Sequence, residues 1–391
     1  MTNLVAREGA SLIQTYRRLP VEFVRGDGSW LYDGLGTAYL DCLSGIAVTS
    51  VGHANPRVAA AVAEQMLTLV HVSNLFYTAP QVELAERLTN LSGLDRVFFC
   101  NDGATANEAA IKLARRWGVE KRGPECHEII SLDGSFHGRT LATLAATGQP
   151  QKQAAFQPLP RGFVQVPPED LEAVRSGLHP GIAAVMIETT QGEGGVLPLS
   201  EGYLQDLRAL CDDNEILLIV DDVQAGVGRT GTWFSWQQLG FVPDIATTAK
   251  ALANGLPIGA CLAADEVAAA FRPGDHATTF GGGPAVCAAA LATLAIIEED
   301  GVLANVTDRE QQFRSTLKQL PGVREVRGRG LLLAAVLNEP VAADLVLAAL
   351  DEGLIVNNVR PDAVRFAPPL TITESETREA ISRFARALAS L

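Results

Sequence analysis

The sequence predicts an α/β fold: a large α/β domain around a mixed, mainly parallel sheet, with a smaller α+β domain beside it. Three observations carry this. Between about residues 75 and 275, short apolar runs alternate with longer helical patterns, as right-handed βαβ crossovers require. The 391-residue chain is 47% hydrophobic and 19% charged, below the roughly 25% charge of an average domain, so it can bury an extensive core. The ends differ from the middle. Residues 20–41 carry the turn signals Gly26, Gly28, Gly34 and Gly36, and beyond about 300 helices mix with strand-like segments.

In chain order, the N-terminal segment 1–45 holds short strands and is expected to pack with the small domain. The large domain is expected over 46–285. Its strands are read at Arg96–Cys100, Glu128–Leu132, Ile182–Ile187 and Ile216–Val220, each a short apolar run. Its helices are read at Pro56–Val70, Gln81–Leu91, Ala104–Trp117 and Gly202–Asp212. The Pro284–Glu299 helix leads into the small domain, expected over 286–391, with helices Val302–Gln319, Val341–Asp351 and Glu374–Ser390 and strand-like Gly330–Leu337 and Val364–Phe366.

Several function classes lose support at once. With 31 basic and 45 acidic side chains the net charge is −14, which weighs against a nucleic-acid partner. The start, with Arg7 and Glu8 and no apolar centre, does not read as a secretory signal. The longest weakly polar stretch, 284–297, is shorter than the roughly 20 residues that span a bilayer, so no membrane partner is expected. The six cysteines form no CxxC pair and read as reduced thiols of a cytoplasmic protein. The six histidines form no HExxH, so no metal site is expected.

Four constellations bear on chemistry. Asp221-Asp222-Val223-Gln224 follows an apolar strand, and ligands in open α/β sheets bind at the carboxyl ends of strands. Asn101 to Glu108 links a strand to a helix through Gly103, so free N–H groups and the helix dipole could receive a phosphate. Lys250 lies in an apolar, small-residue stretch, where burial depresses the amine pKa and favours Schiff-base chemistry. In Ser135-Phe-His-Gly-Arg-Thr140, Phe136 could stack on a flat ligand and Arg139 could hold a carboxylate. Each has an ordinary structural explanation by itself: a solvated turn, a capped helix, a surface lysine, a core aromatic. A fifth pattern, Gly226-Val-Gly-Arg-Thr-Gly231, spells GxGxxG, but five residues separate it from the strand and no helix start follows, so nucleotide binding is not expected there.

Together the four supply what pyridoxal 5′-phosphate needs: a ring-stacking aromatic, a phosphate seat, an acid for the pyridine nitrogen and an amine for the aldehyde. The chain here resembles the class III, or ω-amino acid, aminotransferases of fold type I. The likeness runs through Gly45-Ile-Ala-Val48, Gly52-His-Ala-Asn-Pro56, Asn101–Glu108, Ser135–Thr140, Gln191-Gly-Glu-Gly-Gly195, Leu218–Gly231, Pro243–Gly259, Thr279-Phe-Gly-Gly-Gly-Pro284, Arg327-Gly-Arg-Gly330 and Arg365-Phe-Ala-Pro-Pro369.

The resemblance implies roles. Lys250 would carry the cofactor aldehyde and act as general base, and Asp221 would pair with the pyridinium. Phe136 and Val223 would flank the ring, Gln224 would bond the ring oxygen, and Asp222 would belong to the same cofactor-binding set. Gly103 and Ala104 would offer N–H groups to the phosphate, joined by Thr279 of a second subunit, so a homodimer is implied. Arg139, with Thr278 nearby, would hold the substrate α-carboxylate, and Arg365 a carboxylate of glutamate. Glu193 resembles a movable acid that covers an arginine in one half-reaction.

Substrate choice turns on Ile46, which resembles the N-acetylornithine-using branch, and Tyr16, which matches a substrate-lining tyrosine of the ornithine type. The weight falls on N-acetylornithine with 2-oxoglutarate in a ping-pong cycle, hence arginine synthesis. Ornithine, succinylornithine, N-succinyl-diaminopimelate and 4-aminobutyrate follow. An aminomutase of the glutamate-semialdehyde type, and a non-catalytic descendant that binds a ligand or serves assembly, remain as rivals. Four positions depart from the family pattern: Asp102 for serine, Thr105 for glutamate, Asp222 for glutamate and Gly283 for asparagine. Asp102 would set a carboxylate beside a phosphate unless it turns away as a helix cap.

Overall fold

The computed structural model describes residues 2–391, with side chains from Leu4 onward. Its centre is a seven-stranded sheet in the order Arg96–Cys100, Gly259–Ala263, Ile245–Thr248, Leu217–Asp221, Ile182–Ile187, Glu128–Leu132, Phe163–Val166. All strands run parallel except Gly259–Ala263, which pairs antiparallel with both neighbours. Ile182–Ile187 and Leu217–Asp221 are buried throughout, which explains their unbroken apolar runs: helices cover both faces, so no polar alternation is needed.

Local chemistry sets where the helices start. Asn55 caps Pro56–Thr68, its side chain accepting from Arg57 N and Val58 N, with Pro56 in the first turn, where a missing N–H costs nothing. Thr373 and Glu376 form a capping box at Glu374–Ala389. The apolar helix Pro284–Glu299 buries Cys287, Ala289, Leu294 and Ile297 inside the globule, as its length predicts.

A second sheet, Val323–Arg329, Leu332–Leu337, Ala363–Phe366 and Asn357–Arg360, forms the antiparallel core of the C-terminal part. A third joins the two ends of the chain. Strands Phe23–Asp27, Trp30–Asp33 and Ala38–Asp41 are completed by Leu354–Ile355, with Leu354 beside Leu40 in parallel register. Beyond it, residues 44–47 form a left-handed turn, with φ of 51° at Ser44, 62° at Gly45, 72° at Ile46 and 61° at Ala47. Each non-glycine residue there costs roughly 1–2 kcal/mol, and the surrounding packing, including Ala47 against Val196 and Ala225, must hold it.

All six cysteines are free and buried. Among the described residues, no helix is long and apolar enough to cross a membrane, and no group of three or more His, Cys, Asp or Glu could hold a metal ion.

Candidate active site

A cleft of about 430 Å³ opens at the carboxyl ends of the central strands, in the size range of small-ligand sites. Asp221, the last residue of its strand, is 5% exposed. Its Oδ2 accepts from Asn107 Nδ2 at 2.7 Å and His137 Nδ1 at 2.8 Å, and its Oδ1 accepts only from Val223 N at 3.1 Å. Thr247 Oγ1 donates to Asn107 Oδ1 at 2.6 Å and fixes that amide's orientation. Burial opposes a charge on His137, but the hydrogen bond and charge of Asp221 outweigh it and raise the imidazole pKa.

Strand geometry separates the two adjacent acids. Successive side chains point to opposite faces, so Asp222 turns away from the cleft that Asp221 lines. Asp222 is fully buried, and its Oδ2 accepts from Ser235 N at 3.0 Å while Oδ1 has no partner. Asp222, expected among the cofactor-binding residues, thus does not line the cleft. Burial pushes its carboxyl up to about 7. A carboxyl raised above its unfolded value binds more protons in the native state, so its contribution to stability falls as pH rises from about 4 to about 7. Asp222→Asn should remove that decline. The melting temperature, compared at pH 5 and pH 8, should drop less in the variant than in the parent; an equal drop would count against this account.

Lys250 follows the strand Ile245–Thr248, sits at φ 25° and lines the cleft half-buried. Burial lowers its amine pKa, with the Arg365 cation adding to the effect against the opposing charge of Glu193.

The helix Gly103–Arg122 brings its first turn to the cleft, where Gly103 and Ala104 line it. Gly103 allows a close approach: a Cβ there would lie 2.5 Å from Val223 Cγ1. The departures at 102 and 105 form one device. Asp102 Oδ1 accepts from Thr105 N at 2.8 Å, and Thr105 Oγ1 accepts from Asp102 N at 3.1 Å and Asn101 N at 3.2 Å. This is a capping box with acid and hydroxyl exchanged between its two positions, where the family pattern has serine first and glutamate third. Asp102 nevertheless lines the cleft, so the cap keeps a carboxylate near this helix end.

Phe136, His137 and Arg139 line the opposite wall. The Arg139 guanidinium lies 5.7 Å from the Phe136 ring centroid. Glu188, directly after Ile182–Ile187, accepts from Phe136 N at 2.9 Å and Gly192 N at 3.4 Å. Burial pushes its carboxyl up, and the charge of Asp221 adds to that. The sequence reading passed over both Glu188 and Asn107. Glu188 carried the signal used for Asp221, an acid at the end of an apolar strand. Asn107 stands one helical turn beyond Gly103.

Arg365 is fully buried and does not line the cleft, whereas Glu193 and Gln224 do. Arg365 Nη1 donates to Glu193 Oε1 at 2.6 Å and Gln224 Oε1 at 3.2 Å, and Nε to Asn357 Oδ1 at 3.1 Å; Nη2 has no partner. Burial opposes ionisation of Glu193, but Arg365 more than offsets it and holds the carboxyl below its usual range.

Four more of the predicted residues, Thr278, Thr279, Tyr16 and Ile46, do not line this cleft. Thr278 Oγ1 accepts from Asn101 Nδ2 at 3.3 Å, at the cleft's edge. Thr279 lines a separate crevice with His71, Asn74 and Pro284. Tyr16 is 73% exposed, with the Arg18 guanidinium 5.5 Å from its ring centroid, and does not line the cleft. Ile46 is part-exposed on the left-handed turn, two residues from the cleft-lining Val48. In the GxGxxG loop no helix opens; Arg229 is buried there and donates to Leu331 O and Pro368 O.

With this geometry in hand, known proteins give a consistent picture. A family model described as aminotransferase class-III matches residues 13–388. Acetylornithine aminotransferase of Gloeobacter violaceus is 50% identical over 376 residues, covering 95% of this chain and 94% of that protein. The Methanocaldococcus jannaschii protein of the same name is 48% identical over 94% of this chain and 93% of its own length. The crystal structure of ornithine aminotransferase from Toxoplasma gondii superposes with a TM-score of 0.96 at 32% identity, covering 100% of this chain and 95% of that one. N-acetylornithine aminotransferase from Stenotrophomonas maltophilia gives a TM-score of 0.85 at 37% identity, covering 99% and 98%. A second Toxoplasma gondii structure, with a TM-score of 0.95 at 32% identity and covering 100% and 94%, has PLP at partial occupancy in its active site.

Proposed function

Because this chain belongs to the class III aminotransferases, we propose that it transfers the terminal amino group of N2-acetyl-L-ornithine to 2-oxoglutarate, giving N-acetyl-L-glutamate 5-semialdehyde and L-glutamate. It is an aminotransferase that uses pyridoxal 5′-phosphate, and the cleft's donor set fits that group. An acid with an under-used oxygen, an amine of lowered pKa and a helix N-terminus line one cavity of suitable size. When bound, the cofactor supplies an electron sink at the reacting carbon.

The chain's residues do the rest. Asp221, fixed by His137 and Asn107, would hold the ring nitrogen protonated. Phe136 and Val223, which line the cleft, would flank the ring, Gln224 would meet its oxygen, and Gly103 and Ala104 would offer N–H groups to the phosphate. Lys250 would hold the cofactor aldehyde, and its amine of lowered pKa would serve as the base that moves a proton at the substrate carbon. Arg139 holds the acetylornithine carboxylate, with Ile46 shaping the entrance. Asp102→Ser should tighten cofactor binding about tenfold by removing a like charge near the phosphate; titration of the stripped protein by fluorescence measures it, and unchanged affinity would show that the cap keeps this charge out of play.

The observation that carries the reading is the Arg365–Glu193 pair. One pocket must take an ω-amine and then an α-amino acid. A buried cation covered by an acid offers a carboxylate site only when the acid swings away.

A homodimer completes the site. In support, Leu67, Leu75, Phe76, Tyr77 and Phe280 are each more than 60% exposed, and Phe76 lines the crevice that holds Thr279. A second copy packed there would carry Thr279 to its neighbour's phosphate. Full activity in a monomer by light scattering would refute this. The substrate supports a place in arginine synthesis, and six free cysteines support a reducing, cytoplasmic setting.

The deciding experiment follows single-turnover half-reactions by the visible absorption of the bound cofactor, with N-acetylornithine, ornithine, succinylornithine, N-succinyl-diaminopimelate and 4-aminobutyrate in turn. N-acetylornithine should convert the enzyme fastest, and 2-oxoglutarate should restore it. A faster competitor would replace the substrate, and turnover without 2-oxoglutarate would indicate an aminomutase.

A further inference from the structure

The loop that carries Glu193 is held from behind by arginines of the C-terminal sheet. Arg327 Nε donates to Gly195 O at 2.8 Å, and Arg360 Nε donates to Gly194 O at 2.8 Å. Arg329 takes the flanks, donating to Thr189 O at 2.8 Å and Leu199 O at 2.5 Å. Arg327 and Arg360 sit on the two outer strands of one four-stranded sheet, and neither lines the cleft. The contact is close. At Gly195, with φ 118°, a Cβ would lie 2.6 Å from Arg360 Nε and 2.9 Å from Arg327 Nη2. The glycines after Glu193 thus leave room for two guanidinium groups against the main chain.

We propose that Arg327 and Arg360 are positioning residues of the gate. They fix the backbone next to Glu193, so its carboxylate meets Arg365 by side-chain torsion alone, and they thereby set the balance between ω-amine and glutamate as amino donors. The proposal rests on the donor reading above. With the clamp in place, closing the gate orders one side chain. Without it, closing must also order the loop backbone, so the open state gains population. An open gate exposes the Arg365 cation, which favours glutamate over an amine with no carboxylate to place there.

The test uses the cofactor-loaded enzyme with Arg327→Gln, Arg360→Gln and Arg360→Lys. Half-reactions with L-glutamate and N-acetylornithine give kcat and KM for each donor, and amide hydrogen exchange is read over residues 192–196. The glutamine variants should raise the glutamate-to-acetylornithine ratio of kcat/KM about fivefold or more, mainly through a higher KM for the amine. Glu193→Ala should shift it further in the same direction, Arg360→Lys should recover part of the change, and exchange over 192–196 should quicken. Parallel losses with both donors, an unchanged ratio or a shift towards the amine would each overturn the proposal. If the unmodified enzyme takes glutamate but not N-acetylornithine, the donor reading fails by itself. Exchange then decides the clamp, and unchanged protection in the glutamine variants overturns it.

Discussion

Lys250→Ala should abolish transamination, lowering turnover by about 10⁴-fold or more, while the protein stays folded. Two roles disappear with one amine. The aldehyde loses its attachment, and no other side chain in the cleft is placed to move the proton. Glu188 and Asp221 are held by backbone and side-chain donors, and Glu193 is tied to Arg365. The fold should tolerate the change, because Lys250 makes no ion pair among the described residues and its lowered pKa shows that its charge is poorly accommodated. The check pairs steady-state turnover with circular dichroism. A folded variant with near-normal turnover would remove Lys250 from the mechanism.

Asp221→Asn should lower kcat about 10²–10³-fold, the scale of losing one preorganised electrostatic partner. Asparagine has nearly the same shape but the wrong polarity. The carboxylate now receives donors at both oxygens: Asn107 and His137 at Oδ2, Val223 N at Oδ1. An amide must turn its NH₂ towards one of these donors, so the variant loses a hydrogen bond as well as the charge that keeps the ring nitrogen protonated. The loss should fall mainly on kcat, with cofactor affinity reduced less. Unaltered kcat in a cofactor-saturated variant would show that the ring nitrogen is held by something else.

Much of this site could be read from the chain because its residues follow strong local signals. Arg96–Cys100, Glu128–Leu132 and Ile182–Ile187 stand where their apolar runs indicate, and Leu217–Asp221 lies one residue later than expected. Ile245–Thr248 and Gly259–Ala263 went unread. The first is only four residues long and the Gly and Ala of the second give little β preference, so their place between buried neighbours decides that they are strands. Lys250, Asp221, Phe136, Gly103 and Glu193 all reach one cleft. Asp222 shared Asp221's motif but not its face, which is a matter of pleat. Tyr16 and Thr279 lie outside the cleft, because a motif match reports a residue's place in the chain and not its place in space. The arginine clamp was invisible for a related reason: Arg327 and Arg360 act on carbonyls more than a hundred residues away.

The sheet that joins Ala38–Asp41 to Leu354–Ile355 has a consequence for how the protein is made. A ribosome delivers about 5–20 residues per second, so Asp41 emerges roughly 15–60 s before its partner strand exists. During that interval the early strands present an unpaired edge, and the Ile46 turn lacks the late-made part of the packing that holds its strained backbone, including Leu332 and Ala334. Assembly of this turn therefore belongs to the last stage of synthesis. A chain cut short before Leu354 would leave its first forty residues without a seat, marked for proteolysis or capture by a chaperone.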